Sequence, residues 1–147
     1  PWHSNAGKRL VKSPRIYVRD SGLVHTLLGL TTSEDILGHP IAGPSWEGLV
    51  VETLIAAAPE GTRANFYRTS AGAEIDLVLT LPGDARWAVE IKRSLQPKLE
   101  RGFHQACVDL EPARRLLIYP GSETYPLGGG VEVMPLVKAS EALLATH

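Results

Sequence analysis

Two short segments alternate charged and apolar residues with period two: Gly72-Ala73-Glu74-Ile75-Asp76-Leu77-Val78-Leu79 and Trp87-Ala88-Val89-Glu90-Ile91-Lys92. Successive side chains of a strand point to opposite faces. The alternation therefore predicts Glu74, Asp76 and Val78 on one face and Ile75, Leu77 and Leu79 on the other. In the second segment it sets Ala88, Glu90 and Lys92 against Trp87, Val89 and Ile91. Three strands are expected here, Asn65–Arg68, Glu74–Leu81 and Arg86–Lys92, joined by the turns Ser70-Ala71-Gly72 and Pro82-Gly83-Asp84 as an antiparallel meander. If the second and third pair, Asp76, Glu90 and Lys92 converge on one patch of sheet.

Downstream, Pro97 suits a first helical position, and Leu99, Phe103, Cys107 and Leu110 form an apolar stripe as far as Pro112. Leu116-Leu117-Ile118-Tyr119 is a continuous apolar run, as in a strand covered on both faces. Strand 86–92, helix 97–110 and strand 115–119 make a βαβ unit. Gly121–Gly130 is expected as a loop, Val131–Met134 as a last strand and Lys138–Ala145 as a last helix. Upstream, Ile16-Tyr17-Val18 reads as a short strand. Asp20 or Ser21 caps a helix with Leu23, Leu27 and Leu28 on its apolar face and Gly29 at its end. Thr32-Ser33-Glu34-Asp35 opens a second helix that stops at Gly38. Residues 38–44, with two prolines and two glycines, are expected as a loop, and Ser45 as the cap of a longer helix from Trp46 to Ala58. Glu47 shares the stripe of Val51 and Leu54 on that helix. An acid on a core-facing stripe is costly unless paired. The fold class is thus α/β, a mixed sheet with an antiparallel meander and a parallel strand added through a crossover helix, flanked by helices.

A length of 147 residues suits one structural unit, and 44% hydrophobic against 21% charged residues suits a packed core. A formal net charge of −1 excludes a polycation. Charge is uneven, however: Lys8, Arg9, Lys12, Arg15 and Arg19 fall within the first twenty residues against Asp20 alone. This basic arm reads either as a solvated terminal segment or as a contact for phosphates or an acidic partner. Cys107 is the one cysteine, so no internal disulfide can form; it reads as buried filler, and a cytoplasmic setting is expected. No apolar run is long enough to cross a membrane, and no partner membrane is expected.

Two carboxylates and an ammonium on one patch are the minimum for holding Mg²⁺ or Mn²⁺ and aiming a water at a phosphodiester. Asp-x13-Glu-x-Lys on adjacent strands, with Glu47 from an upstream helix, raises that reading above a lone Glu-x-Lys. The competing reading has Glu90 and Lys92 as solvated outward residues and Asp76 as a hairpin end. Serine-hydrolase and P-loop motifs are absent, and the histidines show no metal-ligand spacing.

Four blocks carry a family resemblance: Lys12-Ser13-Pro14-Arg15-Ile16-Tyr17-Val18-Arg19-Asp20-Ser21-Gly22-Leu23, Trp46-Glu47-Gly48-Leu49-Val50-Val51-Glu52, Tyr67-Arg68-Thr69-Ser70-Ala71-Gly72-Ala73-Glu74-Ile75-Asp76 and Val89-Glu90-Ile91-Lys92. In this order they resemble the C-terminal domain that follows the ATPase module in a family of bacterial and archaeal AAA-type ATPases. That domain looks like the PD-(D/E)xK nuclease-like, or restriction-endonuclease-like, fold. The resemblance implies Glu47 as helical acid, Asp76 and Glu90 as metal ligands with Glu47 adding a third, and Lys92 as catalytic lysine. It implies residues 45–147 as the nuclease-like core, preceded by a basic arm, short strand and helices over 1–44. It also implies an ATPase module in the same polypeptide, through which alone ATP enters. Ile75 stands where the motif has proline. Gln105 matches the glutamine that some nucleases of this fold carry on the helix after the lysine, but Asp109 stands where they have tyrosine. Lys8, Arg9, Lys12, Arg68 and Gln105 are the expected nucleic-acid contacts. Two functions are expected as alternatives: metal-dependent hydrolysis of DNA, and a non-catalytic protein-interaction or regulatory module on the same scaffold.

Overall fold

The computed structural model describes residues 10–11, 13–18 and 20–146. Lys8, Arg9 and Lys12, three of the expected nucleic-acid contacts, lie outside the described residues. The elements run α1 (Ser21–Leu27), α2 (Ser33–Gly38), α3 (Ala42–Ala57), β1 (Arg63–Arg68), β2 (Glu74–Thr80), β3 (Arg86–Ile91), α4 (Arg101–Leu110), β4 (Arg114–Tyr119), β5 (Tyr125–Gly128), β6 (Val131–Pro135) and α5 (Leu136–Leu144). The strands form one six-stranded mixed sheet in the order β1-β2-β3-β4-β6-β5. β1, β2 and β3 pair antiparallel, β4 joins β3 in parallel, β6 is parallel to β4, and β5 pairs antiparallel with β6.

The sheet is sandwiched between helices. On one face α3 and α5 bury Val50, Val51, Leu54, Ala139 and Leu143 against Leu77, Leu79, Val89, Leu116 and Ile118. On the other α4 buries Phe103, Ala106, Cys107 and Leu110 against Tyr67, Val78, Ala88 and Leu117. The unbroken apolar run of β4 follows from its central place: Leu116 and Ile118 feed one core, Leu117 and Tyr119 the other. The expected meander, crossover helix and parallel strand are all present. No helix among the described residues is long and apolar enough to cross a membrane.

Several local expectations are corrected. α3 starts at Ala42, four residues before the expected Trp46, and Ser45 is not its cap. Pro44 lies in the first turn, where a missing N–H breaks no helical hydrogen bond, and the Ser45 N–H donates to the Ile41 carbonyl at 2.8 Å. α4 starts at Arg101, not Pro97, because Glu100 is extended at its N-cap. The expected loop after Gly121 contains β5, held by an edge-on contact of Tyr125 with Tyr119 at 6.0 Å between ring centres. Ile16-Tyr17-Val18 is not a strand. Asp20 caps α1 as expected, accepting from the Leu23 N–H, but the face it was expected to bury is open: Leu23, Leu27 and Leu28 are all exposed, Leu27 by 78%. Tyr67 is buried on the α4 face of the sheet, and its hydroxyl donates to Asp109 Oδ2 on α4 at 2.9 Å.

α4 sits so close to the β1–β2 turn that only glycine fits at its second residue. A Cβ on Gly102 would lie 2.4 Å from the Gly72 carbonyl oxygen, a backbone atom with no freedom to swing aside. Gly102→Ala therefore has to push α4 off the turn. It is expected to lose about 1–3 kcal/mol of stability, read as a lowered midpoint in urea unfolding.

Candidate functional site

The site begins with an irregularity in β2. Asn65 of β1 faces Val78 of β2, yet two residues on, Tyr67 faces Ile75, three residues back. β2 thus carries one extra residue, a bulge at Asp76 and Leu77. Its effect is visible in the packing. Ile75 and Val78 lie in the α4-side core while Leu77 and Leu79 lie in the α3-side core. The expected strict alternation, with Ile75 beside Leu77 and Leu79, is therefore corrected. Bulges re-aim side chains, and here Asp76 is turned toward the α3 side, where Glu47 stands.

At the same place β2 and β3 part. Their ladder runs from Thr80↔Arg86 to Leu77↔Val89 and ends there, while β3 continues its pairing with β4 to Ile91↔Ile118. The Asp76 carboxylate spans the opening: its Oδ2 accepts the Ile91 N–H at 3.0 Å. A cleft of about 280 Å³ forms beside it, lined by Glu47, Glu74, Asp76, Glu90, Lys92 and Glu100 among others. The N-terminal end of α3 is fixed to the same place by the Trp46 indole N–H, which donates to the Lys92 carbonyl at 3.1 Å. All four motif residues, Glu47, Asp76, Glu90 and Lys92, therefore line one cleft.

Arg15, Tyr17, Glu74 and Glu100 were not singled out from the sequence as part of the site. Arg15, grouped there with the basic arm, reaches into the acids. Its Nη1 donates to Glu47 Oε1 at 2.8 Å and Asp76 Oδ1 at 3.0 Å, and its Nη2 to Glu74. Tyr17 donates its hydroxyl to the same Glu47 oxygen at 2.5 Å, and burial with that hydrogen bond pushes its pKa up to about 12. The signal available was the i, i+2 spacing in Pro14-Arg15-Ile16-Tyr17-Val18, which in an extended chain puts Arg15 and Tyr17 on one side. Arg68, an expected nucleic-acid contact, pairs with Glu74 at 2.9 Å and is half exposed. Gln105 does not enter the cleft. It lines an adjoining open hollow with Thr69, Ser70, Arg101 and Gly102.

Lys92 is held between two acids, Glu90 at 2.9 Å and Glu100 at 3.2 Å. Burial works against its charge, but these partners outweigh it and its pKa is raised. The donor chemistry of the cleft fits a hard divalent cation: carboxylate oxygens from α3, β2 and β3 are what Mg²⁺ takes. Their arrangement does not yet form a coordination shell, since no group of three potential ligands among the described residues is gathered round a common point. Arg15 stands between Glu47 and Asp76 instead.

A mixed α/β sheet split at one end over an acid-lined cleft is the class of protein this geometry defines. The chain belongs to the family described as Domain of unknown function (DUF4143), whose model matches residues 42–139; residues 1–34 match a second model, Domain of unknown function (DUF8612). Its sequence is 42% identical over 135 residues to the Mycobacterium tuberculosis "Uncharacterized protein Rv2008c" and, to the same extent, to the Mycobacterium bovis "Uncharacterized protein Mb2031c". Each match covers 92% of this chain but only 30% of the relative, so the chain spans about a third of their length. No solved structure matches it.

Glu90 is 6% exposed, and its environment resists its charge. Burial first, then the nearby Asp76 carboxylate, raise its pKa to about 7; Lys92 pulls the other way and is outweighed. Lys92 shares its charge with Glu100, so it cannot hold Glu90 down alone. The folded value lies above the unfolded one, so the stability that protonated Glu90 contributes is fully present below about pH 4.5. It is lost as pH rises through about 7. The loss is on the order of 3 kcal/mol. Glu90→Gln, which cannot ionise, is expected to be more stable than wild type at pH 8 and to lose that advantage at pH 4.5, in urea unfolding at both values. Lower stability of the variant at pH 8 would mean that the Lys92 ion pair outweighs burial.

Proposed function

We propose that this chain is the nuclease-like module of an AAA-type ATPase, with a restriction-endonuclease-like core that hydrolyses DNA phosphodiesters with Mg²⁺ or Mn²⁺. The observation that carries this reading is the convergence of Glu47, Asp76, Glu90 and Lys92 on one cleft through the β2 bulge and the parting of β2 from β3. Asp76 and Glu90 are the metal-holding residues, and Glu47 adds a carboxylate from α3. The ion, when bound, supplies Lewis-acid activation of water and charge neutralisation at the phosphate. Lys92 offers an ammonium at the mouth of the same cleft, placed to stabilise charge developing on the phosphate. Arg68 stands on the rim at the end of β1, suited to a neighbouring backbone phosphate. An ATPase module belongs, in this reading, to the part of the longer polypeptide that the chain does not span, and ATP acts only there.

A second reading is favoured by one observation, the pairing of Arg15 with Glu47, Glu74 and Asp76. A cleft whose acids are already paired from within needs no metal, and the domain would then serve its ATPase as a protein-interaction or regulatory module.

Cleavage of supercoiled plasmid by the full-length protein with Mn²⁺ separates the two. The nuclease reading expects nicking that falls at least a hundredfold in Asp76→Ala and in Glu90→Ala, each checked for folding by circular dichroism. Nicking that survives both substitutions, or its absence from the wild type with and without ATP, would leave the regulatory reading.

A further inference from the structure

We propose that residues 13–18 form a strap that holds Arg15 as an internal cation in the position a divalent ion would take, so that metal binding requires the strap to withdraw. This inference rests on the metal-site reading above and adds a control element to it.

Three observations carry it. First, the contacts of Arg15 are those of a shared cation. A single nitrogen, Nη1, lies 2.8 Å from Glu47 Oε1 and 3.0 Å from Asp76 Oδ1, and the second terminal nitrogen takes Glu74. An ion bridging Glu47 and Asp76 and the Arg15 guanidinium cannot occupy that space together.

Second, the described residues of the strap are attached through their inward side chains: Arg15 and Tyr17 to the acids, Tyr17 also against the α3-side core and Arg15 over the Phe66 ring. Residues 13–18 have no regular structure, and Ser13, Pro14, Ile16 and Val18 are exposed, Ile16 by 88%. Arg15 and Tyr17 alternate with them and point inward, both onto Glu47. Outside the strap, the chain is anchored at both ends. The Val11 N–H donates to the Arg68 carbonyl and Leu10 bridges to Thr69, while Asp20 caps α1. Between these anchors, no backbone hydrogen bond among the described residues ties 13–18 to the sheet.

Third, the exchange is chemically balanced. Withdrawal of Arg15 leaves three carboxylates facing one space, two of them motif acids, which a doubly charged ion neutralises better than a single guanidinium does. The Arg15 ion pairs are partly solvated, and such pairs hold weakly compared with buried ones.

The test is Mn²⁺ binding, followed by the electron paramagnetic resonance signal of free Mn²⁺, so it does not depend on activity. The chain is compared as wild type, Arg15→Gln, and Arg15→Gln/Glu74→Gln. The double variant removes one cation together with one carboxylate and keeps the charge balance where the single variant fails to fold. Loss of Arg15 is expected to tighten Mn²⁺ binding at least about tenfold, and Asp76→Asn added to either variant to abolish it. Mn²⁺ affinity that is equal or weaker without Arg15 would overturn the strap while leaving the metal site standing. No Mn²⁺ binding in any variant would overturn the strap and the metal reading together.

Discussion

The geometry of the cleft depends on where two strands stop pairing. β2 and β3 share a ladder only as far as Leu77 and Val89. Beyond that point the Ile91 N–H would lack a β2 partner, and a backbone donor left bare is costly. The Asp76 carboxylate takes that donor. One of its oxygens thus acts as a piece of sheet, and the other is free to face Arg15. Everything else at the site is set by this division. The bulge turns Asp76 to the α3 side, the opening makes room for Glu90 and Lys92, and Trp46 ties α3 to the end of β3 so that Glu47 faces the gap. A site residue that also closes a backbone hydrogen bond cannot rotate freely, which keeps the acid oriented before any ligand arrives.

Much of the framework was legible in the residues. Period-two alternation marked β2 and β3, the Phe103, Cys107 and Leu110 stripe marked α4, and the unbroken apolar run marked β4 as a central strand. The four motif residues were found by type and spacing, and they do line one cleft. What was not legible was register. Strict alternation put Ile75 with Leu77, and nothing in Glu74-Ile75-Asp76-Leu77 signals an extra residue, because a bulge is a property of two strands and not of one. The start of α3 was misread because prolines and glycines were counted as breakers without asking where in a helix turn they fall.

Arg15 illustrates a different limit. Its inward side was inferable from alternation with Tyr17, but its partners lie 32 and 61 positions along the chain. Local pattern can assign a side chain to a face; only the assembled sheet assigns it to an acid. The exposed apolar positions of α1 make the same point from the opposite direction. Leu23, Leu27 and Leu28 form a stripe in sequence that the described fold leaves exposed.

The charge of the cleft follows from the fold. Glu47, Glu74, Asp76, Glu90, Glu100 and Lys92 line it, and Arg15 and Arg68 pair with its acids. Five carboxylates against three cations leave an excess of negative charge that the surrounding apolar layers cannot relieve. Proteins settle such an excess by protonating an acid, by pairing it or by binding an ion. This cleft uses the first two: Glu90, the most buried of the five acids, takes up a proton at unusually high pH, and Arg15 is drawn in from the N-terminal segment. Both arrangements lower the charge from within the protein. The same excess also explains why Lys92 keeps its proton despite burial: it is held between Glu90 and Glu100.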